Sequence, residues 1–409
     1  MRPRRNVHLT AALLLVLGLL ISACATGEDD EGAGDKNTPI VVGGTLGLSG
    51  VYATSSAAYR AAYDFWVADV NKHGGLLGRK VKLVIYDDES NPTTAQQLYQ
   101  KLINEDNADL LLAPYATAVG GAIVPITERA GKVLWNGGFV SQELHARNKL
   151  IVNSYPYQDT QYALPLFEYF KSLPSSQRPK TLAIVTAQNP FPLAVRSGYD
   201  GKDGVLNYAK QLGIKVVFDE EYEQTASDVN GLIQRAKAKK PDAFIQLSLP
   251  DDAALLAKTA HEQDFRPRFY CSCGSQVTTL PTWGDLGAAG SGVMATTTAW
   301  PTQGYPMQKE LFSMLEKKFD YEEMPAYGAV ALAILQVMQQ AVNGAKTLDQ
   351  QKIRDYMEGK TFRTAVGNIR YNSDGTIKFG ALLVQYQKDH NEVIWPKRDA
   401  TGRAVVPSR

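Results

Sequence analysis

Cysteine is scarce in this chain: three in 409 residues, at positions 24, 271 and 273, too few and too unevenly placed for a disulfide framework. Charge of one sign is missing as well. Forty-three Lys and Arg stand against 42 Asp and Glu, so a formal net charge of +1 makes no field that would gather nucleic acid or an anionic surface. Histidine is sparse and scattered. His8 lies in the N-terminal apolar region, while His73, His145, His261 and His390 sit in polar contexts that read as solvated surface rather than a metal cluster or a base. No G-x-x-x-x-G-K-[ST] phosphate loop, G-x-S-x-G elbow or H-E-x-x-H helix occurs, and Gly44 to Gly50 has the wrong spacing for a dinucleotide fingerprint. These absences leave catalysis without a recognisable constellation.

Long hydrophobic runs are also rare. The N-terminal one, Leu9 to Ile21, follows Arg2, Arg4 and Arg5 and ends in Ile21-Ser22-Ala23-Cys24. It falls short of the roughly 20 residues that a bilayer core requires, which weighs against a single transmembrane anchor. Basic residues, an apolar stretch and small residues before a cysteine read as a lipoprotein signal over residues 1–23, with lipid carried on Cys24. Residues 24–39 are polar and glycine-rich and read as a flexible tether that holds a folded body outside the cytoplasm, near the membrane.

What remains is ordinary in composition, 44% hydrophobic and 21% charged, and too long for one core. Two lobes are expected. Strands are predicted at Ile40–Gly44, Lys80–Tyr86, Leu110–Ala113 and Val133–Trp135, alternating with helices at Ala57–Asn71, Thr93–Asn104 and Ala122–Ala130. The pattern restarts with strands at Thr181–Thr186, Lys215–Tyr222, Ala243–Leu247 and Arg268–Cys271, separated by helices at Val195–Leu212, Val229–Lys239 and Ala253–Gln263. Repeated βαβ units make a mainly parallel sheet covered on both faces, so the fold class is α/β with two doubly wound lobes. Asn153 to Tyr162 reads as a crossing between lobes. Later come a long helix, Tyr327–Asn343, a hairpin turn at Asp374-Gly375 and a strand, Phe379–Tyr386.

Open parallel sheets bind ligands at the carboxyl ends of their strands. The loops there are Gly47-Leu48-Ser49-Gly50, Pro114-Tyr115-Ala116-Thr117, Asn136-Gly137-Gly138 and Cys273-Gly274-Ser275. Glycines in them either permit tight turns or let backbone amides approach a ligand, and four such loops together favour a site. Asp87-Asp88-Glu89 offers hard oxygen ligands at a strand end, but no second acidic cluster nearby completes a cation cage. Cys271 and Cys273 share one strand face and read as buried thiols rather than a metal or redox pair.

Three stretches carry a resemblance. Leu48-Ser49-Gly50, then Asn71-Lys72-His73-Gly74-Gly75-Leu76-Leu77-Gly78-Arg79, then Tyr86-Asp87-Asp88-Glu89-Ser90-Asn91-Pro92 resemble the Leu/Ile/Val-binding family of extracellular solute-binding proteins that feed ABC importers. The likeness runs from about Ile40 to Tyr386. It implies a type I periplasmic binding protein fold: lobe one at 40–155 plus 300–376, lobe two at 156–299 plus 377–409, and three hinge crossings between them. A small solute would be captured as the lobes close, for delivery to an ABC permease in the membrane. No cofactor, metal or nucleic acid is implied.

The ligand-binding positions that the resemblance implies are Ser55, Tyr115, Thr117, Gly138, Val140, Phe191, Cys273, Gly274 and Tyr327. Thr117 supplies a hydroxyl, Gly138 backbone groups, Phe191 and Tyr327 aromatic walls. Val140 stands where the family has threonine, and Cys273 where an acid would meet an α-ammonium. Burying an ammonium without a counter-charge costs several kcal/mol, so the expected solute is neutral or monoanionic with an apolar body, such as a branched or aromatic carboxylate or an amide. The alternatives are a branched-chain amino-acid receptor using Asp251, Asp252 or Glu262, a ligand sensor, or a secreted hydrolase using Cys273 or Ser275 without an evident base. Trp135, Trp283 and Trp300 are expected to report closure if they lie near the cleft, and Trp66 to be packing.

Overall fold

A computed structural model describes residues 37–155, 158–273, 276–300, 304–319, 326–372, 377 and 381–406. The lipoprotein signal, Cys24, most of the tether, Gly274, Ser275 and the Asp374-Gly375 turn lie outside them.

Near-continuous apolar runs make strands that are covered on both faces, and here they form two sheets. The first half contributes β1 (Ile40–Leu46), β2 (Val81–Asp87), β3 (Leu110–Leu112), β4 (Leu134–Asn136) and β5 (Ile151–Asn153), wrapped by α1 (Ala53–Lys72), α2 (Pro92–Asn104), α3 (Thr117–Arg129) and α4 (Gln142–Arg147). These strands pair in parallel in the order β2-β1-β3-β4-β5. The second body begins with α5 (Leu164–Ser172), β6 (Thr181–Ala187), α6 (Pro190–Ser197), α7 (Gly204–Gln211), β7 (Lys215–Tyr222), α8 (Asn230–Ala238), β8 (Ala243–Leu247), α9 (Pro250–Glu262) and β9 (Phe269–Ser272). It continues with α10 (Pro281–Gly284) and β10 (Met294–Thr297).

The chain then returns to the first body with α11 (Gln308–Phe319), α12 (Ala326–Ala345), α13 (Gln350–Met357) and the hairpin β11 (Thr361–Thr364) and β12 (Gly367–Arg370). Helix α12 packs along α1. A last passage delivers β13 (Leu382–Gln387) and β14 (His390–Trp395) to the second sheet, whose order is β14-β13-β10-β9-β8-β6-β7. Only β13 runs against the others there, antiparallel to both of its neighbours, β10 and β14. The chain therefore passes between the bodies three times, after β5, after β10 and after β12. The main apolar core spans both bodies, reaching Leu182, Ile184, Phe191 and Leu249 of the second, while the outer face of the second sheet has its own core around Val185, Phe218 and Phe244.

Three expectations are corrected. The single helix at Val195–Leu212 is two, α6 and α7, because Gly198 takes φ 75° and a Cβ there would meet Lys202 O at 2.1 Å. His145 is buried, not solvated: α4 tucks it against Phe139, and its Nδ1 lies 2.7 Å from Ser141 O. Cys271 and Cys273 form a disulfide rather than a thiol pair. Strand β9 ends at Ser272, so the chain turns at Cys273 and the two Cα atoms are 5.4 Å apart, inside the bridging range that a fully extended pair would strain.

Candidate functional site

The acidic run at the end of β2 is spent on loop architecture. Asp87 accepts from Leu48 N, Ser49 N, Ser49 Oγ and Glu89 N, and these bonds hold its carboxyl below its usual range despite partial burial. Asp88 accepts from Thr45 Oγ1 at 2.6 Å and Ser90 N at 3.0 Å, while burial pushes its pKa to about 6. Both brace the loop between β1 and α1. Among the described residues no group of three His, Cys, Asp or Glu could hold a metal.

Beyond that loop, strands β3 and β4 end side by side and their loops interlock. Asn136 Oδ1 accepts from Gly138 N and Phe139 N, both at 3.0 Å, and its Nδ2 donates to Phe139 O at 2.8 Å. Gly138 is needed because a Cβ there would sit 2.1 Å from Pro114 O. Of the backbone groups expected there for a ligand, its N–H is thus already engaged. The β3 loop passes through a cis Tyr115–Ala116 peptide into α3, whose first residue is Thr117. No side chain caps that helix, so its first-turn N–H groups remain unsatisfied by side chains and carry the positive end of the helix dipole. Thr117 Oγ1 donates to Val140 O at 3.0 Å, which leaves the hydroxyl's lone pairs outward.

Tyrosines fill the space in front. Tyr115 packs against Tyr52, Tyr59 and Tyr327 with ring centroids 5.6, 5.4 and 5.8 Å away. Tyr59 Oη donates to Gly137 O and lies 2.7 Å from Tyr155 Oη. Burial raises the pKa of every one of these phenols, so they act as neutral hydroxyls. Ser55 is buried beside Tyr115 and Tyr327 and tempers their shifts, but its Oγ meets full hydrogen-bond geometry with no partner.

The second body supplies the opposite wall. Asn189 caps α6, accepting from Phe191 N at 3.3 Å, and so aims Phe191 at the first body. Tyr162 packs edge-on against Phe191 at 5.1 Å. Leu249 stands at the start of α9, its N–H held by Asp252 Oδ1 at 3.0 Å. Contacts also cross between bodies. Asn189 Nδ2, held within its own body by Gln224 Oε1 at 2.9 Å, also donates across to Tyr52 Oη at 3.3 Å, and Gln276 N donates to Tyr327 Oη at 3.3 Å.

Between these walls lies a crevice with about 320 Å³ of empty space, counting its open mouth, but only about 20 Å³ free at its centre, room for one water. Tyr115, Thr117, Gly138, Val140 and Tyr327 line it from the first body and Phe191 from the second, six of the positions expected from sequence. Ser55 stands behind the tyrosines. Cys273 is buried behind the lobe-two wall, its N–H given to Gln246 O at 3.0 Å, and does not line the crevice. Sequence reasoning missed Ala116, Phe139, Tyr155, Tyr162 and Leu249. Tyr155 and Tyr162 lay in the Tyr-rich crossing segment, whereas nothing local marked Leu249.

Among the described residues no carboxylate lines the crevice. Asp251 and Asp252 line a separate cavity of about 250 Å³ beyond Leu249, with Val51 and Gln224. Burial raises both, Asp252 to about 6. Glu262 is exposed at the far end of α9. Trp135, Trp283 and Trp300 do not line the crevice either, and Trp66 is buried with its Nε1 donating to Gln339 Oε1 at 3.0 Å.

Comparison with known proteins places this architecture. The profile of a family described as periplasmic binding protein matches residues 39–391. A leucine-, isoleucine-, valine-, threonine- and alanine-binding protein of Pseudomonas aeruginosa is 23% identical over 351 residues, 84% of this chain and 88% of that one. Leu/Ile/Val-binding protein homolog 7 of Brucella abortus is 20% identical over 390 residues, 92% of this chain and 96% of its own. A Thermotoga maritima leucine binding protein superposes with TM-score 0.73 at 18% identity, covering 87% of this chain and 97% of that structure. A Rhodopseudomonas palustris solute-binding protein in complex with benzoate superposes with TM-score 0.74 at 16% identity, covering 91% and 98%.

Proposed function

Since the chain belongs to the periplasmic binding protein family, whose members serve ABC transporters as extracytoplasmic solute receptors, we propose that it captures a small aromatic or branched monocarboxylate, or the corresponding amide, between its two lobes. The observation that carries this reading is the crevice wall: aromatic, free of ionised side chains, and faced by the uncapped N-terminus of α3. Helix α3 begins at the crevice at Thr117 with no side-chain cap, and its positive end favours an anion by about 0.3–1 kcal/mol, whereas Asn189 caps α6 and Asp251 and Asp252 fill the first turn of α9. A carboxylate at Thr117 would leave the apolar body between Tyr115 and Tyr327 on one side and Phe191 and Tyr162 on the other.

The central free volume is too small for such a guest, so entry requires the walls to separate. Opening breaks the Asn189–Tyr52 and Gln276–Tyr327 bonds, and a ligand that touches both walls favours the closed state by its differential affinity. Two proteins of the same fold are complexed with benzoate and 3,4-dihydroxybenzoic acid, which agrees with this chemistry.

Isothermal titration with benzoate, benzamide and leucine tests the reading. Benzoate is expected to bind, with Thr117→Val weakening it about tenfold by loss of one hydroxyl contact. Leucine binding tighter than benzoate would overturn it and favour the second reading, a branched-chain amino-acid receptor. Asp251 and Asp252, just beyond Leu249, support that alternative, and Asp251→Asn with Asp252→Asn would then abolish leucine binding. We further propose that Cys24 carries lipid and 25–39 tethers the body to the membrane. Cys24→Ser is expected to release the protein into the soluble fraction.

A further inference from the structure

A second cavity, of about 400 Å³, opens away from the crevice beside β5, the edge strand of the first sheet. Lys149 and Leu150, just before that strand, line it together with Arg354, Asp355 and Glu358 of the α13 region and Tyr371. Arg354 is half-buried, and burial draws its pKa down against the pull of Tyr371, Asp355 and Glu358. Its guanidinium brings five N–H donors.

Yet among the described residues neither Arg354 nor Lys149 makes an ion pair or a side-chain hydrogen bond. The carboxylates nearby do not discharge them. Asp355 is engaged by Gln351, whose Nε2 donates to Oδ1 at 2.8 Å, and Tyr371 Oη is spent on Asn153 O at 2.9 Å. A partly desolvated guanidinium without an acceptor is costly, and an oxyanion is the group that fits its fork. A bare dianion fits less well, because Asp355 and Glu358 line the same space and would repel it. A molecule bearing both signs satisfies the whole wall.

We propose that this cavity binds a small zwitterion, its oxyanion held by Arg354 and Lys149 and its ammonium by Asp355 and Glu358, the chemistry shared by a free α-amino acid and by phosphoethanolamine. The site is separate from the crevice and does not depend on what the crevice binds. It offers the acidic partner for an ammonium that the crevice lacks.

Titration of the purified protein with alanine, phosphoethanolamine and inorganic phosphate tests this. At least one of the two zwitterions is expected to bind one to one, and more tightly than inorganic phosphate. Arg354→Gln should weaken it about tenfold, as should the exposed and fold-neutral Lys149→Gln. Glu358→Gln should weaken the zwitterion while tightening inorganic phosphate, whose repulsion it relieves. Phe191→Ala should leave this binding intact, and Arg354→Gln should leave benzoate binding intact, so failure here is distinct from failure at the crevice. Absence of saturable binding by either zwitterion, phosphate binding as tight as theirs, or indifference to both Arg354→Gln and Lys149→Gln would overturn the proposal.

Discussion

The two walls of the crevice are built by different means. On the first body the lining, rich in Tyr115, Phe139, Tyr155 and Tyr327, rests on main chain and hydroxyls already committed to neighbours: Asn136 holds Gly138 and Phe139, Thr117 holds Val140, Tyr59 holds Gly137. On the second body it is ring and aliphatic surface, Phe191, Tyr162 and Leu249, with helix caps set behind Phe191 and Leu249. The first wall is therefore stiffly braced by hydrogen bonds, the second less so and replaceable. A change on the first should damage folding together with binding, whereas a change on the second should damage binding alone.

Gly138→Ala is the severest way to probe this contrast. The added Cβ meets Pro114 O at 2.1 Å, so the variant should lose about 2–3 kcal/mol of stability, read by denaturant unfolding, together with benzoate binding. Phe191→Ala on the opposite wall should weaken binding about thirtyfold, as truncating an aromatic anchor does, with a markedly smaller change in unfolding midpoint. Equal stability losses in the two variants would erase the distinction.

On the first passage, Asp159 caps α4 of the first body by accepting from Gln142 N at 3.1 Å. Burial raises its pKa to about 6, above the unfolded value of 3.8. The folded state thus binds the proton more tightly, so this group's favourable contribution is present below pH 3.8 and is lost as pH rises through about 6. Asp159→Asn keeps the acceptor and removes the titration. The wild type should lose stability relative to it by on the order of 2 kcal/mol between pH 4 and 7, and a constant gap across that range would reject the assignment. The mildest test is Tyr52→Phe, which deletes the acceptor for Asn189 across the crevice. A rise of about threefold in benzoate dissociation rate, with association unchanged, is expected from one neutral hydrogen bond.

Much of the fold was legible because its signals are local. Strands β7 and β8 fall at the residues expected, Lys215–Tyr222 and Ala243–Leu247, since apolar runs bounded by turns need no distant information. Failures came where a backbone conformation or a tertiary contact decided. Gly198 at positive φ split one predicted helix, and packing against Phe139 buried a histidine set in a stretch with Glu143, Arg147 and Asn148. Leu249 carried no sign of its place in the crevice because its partners lie on the other body. The loops at strand ends could be named in advance, but that Gly138's N–H is consumed by Asn136 could not.

By itself the sequence determined two wound sheets, the order of their helices and the loops that face a shared gap, since alternating apolar periodicities dictate which segments must be buried and how. Only the tertiary structure decided which side chains meet in that gap, which of their polar groups are already spent, and that Asp251 and Asp252 stand outside it. Those outcomes depend on distances between residues more than a hundred positions apart, brought together by three passages of the chain, and no local pattern encodes them.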